Sequence, residues 1–581
     1  MAGMMVWGLL VMVRLMHLQV GMHADLRARA LSQQTDVIRI AAKRGDILAR
    51  GGQTLATTID LGSIYAHPHR IDDPAGIARL LAPILGVSEQ ELEHTLASDK
   101  NFVWLRRKAR PETLVAFRTL VADHDLHRFL GFHEEAKRYY PRRTLAAHVV
   151  GHVDIDNRGI AGVERFYDAE VRGQDGSLNA LKDGWNAVAG GQGQALEEAT
   201  RGNDLVLTLD WTLQYAAERA LLSAIESKGA SGGSVVVMDP RTGEILAMAS
   251  YPTFNPNRRD YAMVDNAVNR AITRPFEPGS VFKVITAAAA MHEGVVTEDE
   301  PIDCQGGRYR VANHVYKDWK DGFGVMPFRD VLANSSNVGT IKVCQRMAPD
   351  TYYGWISDFG FGTRTEIDLP SETTGLLQGV GQWSKLTQSS MAFGQEISST
   401  PIQLATAISV VANGGLLVQP HVLREMRDRA GNVVRVGEPV VRRRVLKESI
   451  ARRVALMMEH VVADGTGKPA QVQGYRVAGK TSTAQQIDPE TGLYTRFTAG
   501  FAGFLPVSDP RVVILVVVDD PQRRYGHGGS QAAAPAFQAI ASAAMRVLRL
   551  APDDVNRVPT WVVDGDEPSV SVRTAGGVPN P

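Results

Sequence analysis

At 581 residues the chain is too long for one hydrophobic core, because single cores stop growing near roughly 250–300 residues, and this excludes a single-domain fold. Lys+Arg and Asp+Glu both number 63, and a chain with no bulk basic excess is a poor candidate for non-specific nucleic-acid binding, so no nucleic-acid partner is expected. The two cysteines, Cys304 and Cys344, show no Cys-x-x-Cys spacing and have no His cluster beside them, which argues against a metal site; two buried thiols are expected, with a disulfide left open.

In chain order, Met4 to Val13 is an apolar run, interrupted by Arg14 and continued by Leu15 to Val20. A spanning helix needs about 20 apolar residues. The run therefore reads as the C-terminal part of a membrane anchor, residues 1–20, and no small-residue cleavage site follows that would mark a removable signal peptide. Residues 21–43 are polar and helix-compatible. Arg44 to Gly52, followed by Leu55-Ala56, predicts a short strand, a Gly-Gly turn and a second strand. Residues 74–130 alternate charged and apolar residues at helical spacing and predict small amphipathic helices. Tyr139 to Gly173 is glycine-punctuated and irregular. Residues 21–200 show no catalytic constellation and read as a non-catalytic module.

A regular domain begins near Asn203. Asp204 to Leu209 predicts a strand, and Asp210 caps an amphipathic helix from Trp211 to Ser227. Ser234–Met238, the turn Asp239-Pro240-Arg241-Thr242-Gly243, and Glu244–Ala249 predict a hairpin. Tyr475–Ala478, Thr498–Phe504 and Arg511–Val518 read as later strands, and Ala532–Leu548 as a closing helix. The helical stretch between hairpin and late strands implies an antiparallel sheet fed from both ends of the domain, with a helical insert. Residues 551–581 are rich in Pro, Asp and Gly and read as a loose tail.

Three segments carry chemistry. In Phe276-Glu277-Pro278-Gly279-Ser280-Val281-Phe282-Lys283 a Pro-Gly break leads into an alanine-rich helix, which places Ser280 at or near its N-terminus and Lys283 one turn later on the same face. The helix end favours developing negative charge. An ammonium held against an apolar helix loses solvation, so its pKa falls, and a neutral lysine can take the serine proton. A lone Ser-x-x-Lys is usually a helix start with a surface lysine, but this is the sole Ser-x-x-Lys in the chain. Asn334-Ser335-Ser336-Asn337 offers a hydroxyl to relay a proton (Ser335) and a carboxamide to hold an amide (Asn337), although alone it would read as a loop. In Gly479-Lys480-Thr481-Ser482-Thr483-Ala484, Lys480 with the Thr481 and Thr483 hydroxyls can bind a carboxylate. A strand N–H here could complete an oxyanion hole with that of Ser280. A phosphate-loop reading is rejected: the preceding Gly-x-x-x-x-Gly spacing reads as absent, and the strand pattern and the trailing Ala484-Gln485-Gln486 argue against a following helix.

In this order the three segments resemble the Ser-x-x-Lys, Ser-x-Asn, Lys-Thr-Gly set of penicillin-binding proteins and class A β-lactamases. Over most of its length the chain is similar to class B penicillin-binding proteins of the cell-division type. The similarity includes Arg44-Gly45-Asp46-Ile47, Gly159-Ile160-Ala161-Gly162-Val163-Glu164, Gly243–Met248, Asn255-Pro256-Asn257, Gly528-Gly529 and Ala534–Phe537. The resemblance implies an α+β multidomain protein: the anchor (1–20), a pedestal of the dimerisation type (21–200), and a transpeptidase domain (203–550) before the tail. That domain would have the serine transpeptidase/β-lactamase-like fold, an antiparallel sheet with helices on both faces plus a helical subdomain.

It further implies D,D-transpeptidation of peptidoglycan, with Ser280 as acylated nucleophile and Lys283 as its base. Ser335 and Asn337 would assist proton transfer and alignment, and Lys480, Thr481 and Thr483 would line the carboxylate site. The Thr483 N–H would join that of Ser280 in the oxyanion hole. No metal or organic cofactor is implied. The expected partners are stem peptides ending in D-Ala-D-Ala, β-lactams, the membrane, a separate glycan polymerase and divisome proteins. The expected location is the bacterial inner membrane, single-pass, with the catalytic domain in the periplasm. Tyr251–Asn257 and the length favour division over the elongation paralogue. A β-lactamase, a non-enzymatic sensor and a bifunctional glycosyltransferase are the rivals; residues 21–200 lack the paired-carboxylate helical domain the last would need. One departure stands out, Ser482 where the family usually has Gly, which bears on the oxyanion-hole geometry.

Overall fold

The computed structural model describes residues 2–26, 35–182, 188–258, 266–487 and 494–554. The helix Ala2–Met16 continues into a π-turn, His17–Gly21, so that Gly3–Gly21 is long and apolar enough to cross a membrane by length and composition. Arg14 does not break the helix, and the segment is longer than the apolar run suggested. The helix-compatible reading of residues 21–43 is corrected at Thr35–Ile40, which is a strand paired antiparallel with Gly176–Lys182. Thr35, Val37, Ile38 and Ile40 suit a strand, but a partner so distant in sequence leaves no local trace.

Ile47–Leu48 and Thr54–Ala66 form the expected hairpin. The long second strand also pairs with Leu130–Tyr139 and with Val103–Arg106. Helices Pro74–Leu85, Glu89–Leu96 and Pro111–Asp123 bear out the amphipathic pattern, and the first two are capped by Asp73 and Ser88. Their Leu81, Leu85, Leu92, Leu96 and Phe117 pack with Ile64 and Leu130 into a small separate core.

Asp204–Leu207 is a strand, but its partners are not those of the catalytic sheet. It pairs parallel with Ile47–Leu48 and antiparallel with Leu423–Arg427, which in turn pairs with Val433–Val436. The resulting seven-stranded sheet takes strands from both halves of the chain. Gly45 is required by close approach: a Cβ there would lie 1.9 Å from the Asn203 carbonyl oxygen.

Beneath this sheet Arg44 is buried against Glu164 (2.7 Å) and Asp168 (2.5 Å), and Arg138 reaches the other Glu164 oxygen at 2.5 Å. Burial pulls the Arg44 guanidinium down, but Glu164 and Asp168 outweigh it and hold its pKa above the ordinary value. The two motifs around Arg44 and Glu164 are thus two sides of one ion cluster.

The second sheet has five antiparallel strands: β1 (Gly232–Met238), β2 (Ile245–Tyr251), β3 (Ala478–Ile487), β4 (Tyr494–Leu505) and β5 (Val512–Asp519), in spatial order β2-β1-β5-β4-β3. Its strands come from both ends of the domain around a mostly helical insert, as expected. Alternation along β1 divides the core. Val235 and Val237 pack with Leu213 and Leu221 of α1 (Trp211–Lys228), while Val236 and Met238 face the helical insert. That insert includes α2 (Lys283–His292), α3 (Asn337–Cys344), α4 (Pro401–Ala412) and α5 (Glu448–Ala463). The closing helix α6 (Ala534–Val547) lies on the α1 side, with Phe501 and Phe537 ring centroids 4.6 Å apart. The Tyr475–Val477 segment makes only an isolated bridge, and the strand proper starts at Ala478. Asp553 bonds back to the Arg476 amide and the Ser508 hydroxyl, so residues 551–554 are tied to the domain. The rest of the expected tail, 555–581, lies outside the described residues.

Glu164→Ala would leave two guanidiniums buried without their shared carboxylate, a change that costs about 3–5 kcal/mol. Denaturant unfolding should show a lower first midpoint, with the loss assigned to the pedestal. An unchanged profile would mean that the cluster carries no stability.

Candidate active site

The turn that carries Ser280 is built by glycines. Gly279 has φ +52 and donates its N–H to the Gly394 carbonyl at 3.1 Å; Gly394 itself has φ +82. A side chain at Gly279 would meet the Ser482 Oγ at 2.6 Å. Gly279–Phe282 is a 3₁₀ turn rather than the α-helical start expected, and it continues directly into α2. Residues Lys283 to Met291 are buried on every side, which is why this helix is so rich in alanine. Ser280 stands half-buried at its mouth.

Lys283 is fully buried, 0% exposed. Its Nζ donates to the Ser335 carbonyl at 2.6 Å and to the Asn337 Oδ1 at 2.7 Å, with the Ser335 Oγ at 3.2 Å. Burial pushes its pKa down to about 7, partly offset by Asp318 and Cys304. A neutral amine has two hydrogens. The two shorter contacts use both, and the lone pair is left to accept a proton.

Lys480 is equally buried and donates to the Ser335 Oγ at 2.9 Å. Burial, with the neighbouring Lys283, holds its pKa well below the ordinary value. The Ser335 hydroxyl therefore bridges two amines. It does so from a backbone at φ +58, a left-handed conformation that costs a non-glycine residue about 1 kcal/mol or more.

What holds that loop is Asp318. One of its oxygens accepts from the Asn337 and Val338 amides at 2.6 and 3.0 Å, and the other accepts from the Ser336 hydroxyl at 2.8 Å. Ser336 in turn caps α3 through the Gly339 N–H.

The third segment runs along β3, the edge strand beside the Ser280 turn. Gly474 and Gly479 do stand at phosphate-loop spacing before Lys480-Thr481, but the chain continues as a strand to Ile487, so no phosphate loop forms. The Thr481 and Thr466 hydroxyls are 3.0 Å apart, and the Thr483 Oγ1 accepts from the Gly529 N–H at 3.0 Å. Ser482 points the other way: its Oγ donates to the Pro278 carbonyl at 2.6 Å, tying β3 to the turn.

All seven predicted residues thus converge. Ser280, Ser335, Asn337, Thr481 and Thr483 line one cleft of about 620 Å³, and the two lysines lie buried at hydrogen-bonding distance of Ser335. The sequence reading missed Asp318, Thr466 and Trp319. Trp319 is 66% exposed at the cleft and donates its indole N–H to the Asn334 carbonyl. None of the three belongs to a spaced motif; only the fold brings them to the site.

The family model for the penicillin-binding protein transpeptidase domain matches residues 233–542, and that for the penicillin-binding protein dimerisation domain matches residues 39–207. The chain is 34% identical over 570 residues to penicillin-binding protein PbpB of Mycolicibacterium smegmatis, covering 91% of this chain and 87% of that protein. It is 32% identical over 527 residues to peptidoglycan D,D-transpeptidase FtsI of Escherichia coli, covering 89% and 86%. Among solved structures it is similar to penicillin binding protein 3 of Mycobacterium tuberculosis complexed with aztreonam, with TM-score 0.69 and 30% identity over 89% of this chain and 98% of that one.

Ser482→Ala removes the side-chain tie between β3 and the turn, one hydrogen bond to the buried Pro278 residue. A loss of about 1–2 kcal/mol is expected in denaturant unfolding of the catalytic domain. A neutral result would mean that the Ser482 bond does not brace the turn.

Proposed function

The chain belongs to the penicillin-binding protein transpeptidase family, as a class B member carrying the dimerisation-type domain, and on that premise we propose that Ser280 cross-links peptidoglycan stem peptides through an acyl-enzyme. The observation that carries this reading is the buried, easily neutralised Lys283 amine, held by Ser335 and Asn337 beside the turn bearing the cleft serine.

In the first half-reaction the Ser280 hydroxyl gives its proton to Lys283 and its oxygen attacks the penultimate D-Ala carbonyl. The peptide C–N bond breaks, the proton returns to the departing amine, and terminal D-Ala leaves. An acceptor amine of a neighbouring stem then attacks the ester, loses a proton, and restores the Ser280 hydroxyl as the new amide forms. Ser335, which bridges Lys283 and Lys480, relays protons, and Asn337 aligns the donor amide. Thr481 and Thr483, which line the cleft, receive the donor's terminal carboxylate, with Lys480 buried behind them and linked to the site through the Ser335 hydroxyl.

The tetrahedral oxygen is stabilised by the Ser280 and Thr483 N–H groups. Ser482 is compatible with that role, because its side chain turns toward Pro278 and not into the cleft. A β-lactam presents an equivalent carbonyl and carboxylate and acylates the same serine.

We read the helix Gly3–Gly21, which among the described residues is long and apolar enough to cross a membrane, as the membrane anchor. We place the catalytic domain on the periplasmic side, where stem peptides are found, and the activity at the division septum, alongside a separate glycan polymerase and divisome proteins. The likeness to peptidoglycan D,D-transpeptidase FtsI of Escherichia coli supports the septal reading.

Labelling with a fluorescent penicillin should give a covalent adduct on the peptide spanning residues 276–290, and Ser280→Ala should abolish it. An adduct elsewhere would overturn the assignment. Because only the unprotonated Lys283 accepts a proton, the acylation rate should be on a plateau above pH ~7 and fall about tenfold per pH unit below it. A rate independent of pH between about 5 and 8 would remove Lys283 as the base.

A further inference from the structure

We propose that the strand Val433–Val436 is a docking edge that accepts an extended, acidic segment of a partner protein as an additional strand. Among the described residues it is the terminal strand of the seven-stranded sheet and pairs on one side, with Leu423–Arg427. The Gly437 N–H donates inward to the Arg424 carbonyl, so strand alternation turns the Val436 N–H and C=O outward. Exposed edges are normally guarded by proline, lysine or a covering element. Here Val433, Val434 and Val436 are 48%, 54% and 56% exposed instead. The intervening Arg435 lies with its guanidinium 5.9 Å from the Tyr167 ring.

Charge selects the occupant. Residues 423–444 hold seven arginines against three carboxylates, Glu425, Asp428 and Glu438. Arg427 is paired with Glu425, Arg442 with Glu366, and Arg443 with Asp358. Among the described residues, the exposed Arg424, Arg429 and Arg435 make no ion pair within 4.0 Å. A second copy of the chain would bring two basic edges together, which costs energy. An incoming strand that alternates β-branched apolar residues with Asp or Glu would bond to the free edge, cover the valines and neutralise these arginines. It would extend the sheet that links the pedestal strand Ile47–Leu48 to the hairpin from the catalytic half.

The test uses the full chain in detergent and a fluorescein-labelled peptide of alternating valine and glutamate, followed by anisotropy and hydrogen exchange. Saturable binding is expected, with slowed exchange at Val436. Val436→Pro removes an outward N–H and no internal bond, and it should weaken binding at least about tenfold while penicillin labelling of Ser280 is retained. The triple reversal R424E/R429E/R435E should do the same, and should favour a lysine-for-glutamate peptide. The proposal is overturned if wild type binds no peptide up to about 1 mM, if the acidic and basic peptides bind alike, if both variants bind as well as wild type, or if the edge instead closes a concentration-dependent dimer lost in Val436→Pro.

Discussion

The site depends on one constraint: two lysine amines are buried around a single serine hydroxyl with no carboxylate in direct contact among the described residues. Burying an isolated ammonium costs several kcal/mol even after relaxation, and the cheapest escape is to give up the proton. The apolar packing of α2 on all sides denies Lys283 its water, and the loop around Ser335 supplies acceptors for its remaining hydrogens. The site's base is thus made by the core that surrounds it. Asp318 contributes at one remove. It pins the backbone of the loop from which Ser335 reaches both amines, and its negative charge moderates the fall in the Lys283 pKa.

The pedestal buries charge under the opposite rule. A guanidinium cannot be neutralised near physiological pH, so Arg44 and Arg138 are buried only with Glu164 and Asp168 in direct contact. The contrast separates the two halves of the chain by chemistry. Where the buried cation is arginine, the result is a fixed ion cluster that joins distant segments; where it is lysine, the result is a titratable group. The strand Asp204–Leu207 connects these regions mechanically, since it lies in the pedestal sheet and leads directly into α1 of the catalytic domain.

Local pattern determined much of this protein by itself. Periodicity placed the amphipathic helices of the pedestal, the β1–β2 hairpin and the closing helix. Spacing marked Ser280 with Lys283, and the resemblance of the three ordered segments to a known motif set assigned Ser335, Asn337, Lys480, Thr481 and Thr483, which was possible because each short motif is carried on one continuous turn, loop or strand. Tertiary structure decided the rest, since the information lies in pairings between residues far apart. Thr35–Ile40 is a strand because Gly176–Lys182 lies beside it, and Asp204–Leu207 joins the pedestal because Leu423–Arg427 and Ile47–Leu48 flank it. Asp318, Trp319 and Thr466 reach the cleft through the fold and carry no motif of their own. The direction of the Ser482 side chain was likewise settled only by the Pro278 carbonyl that folding brings to it. A sequence reports which groups are present and how they recur along the chain, whereas desolvation and hydrogen-bond partnership, which set their chemistry, exist only once distant segments have packed.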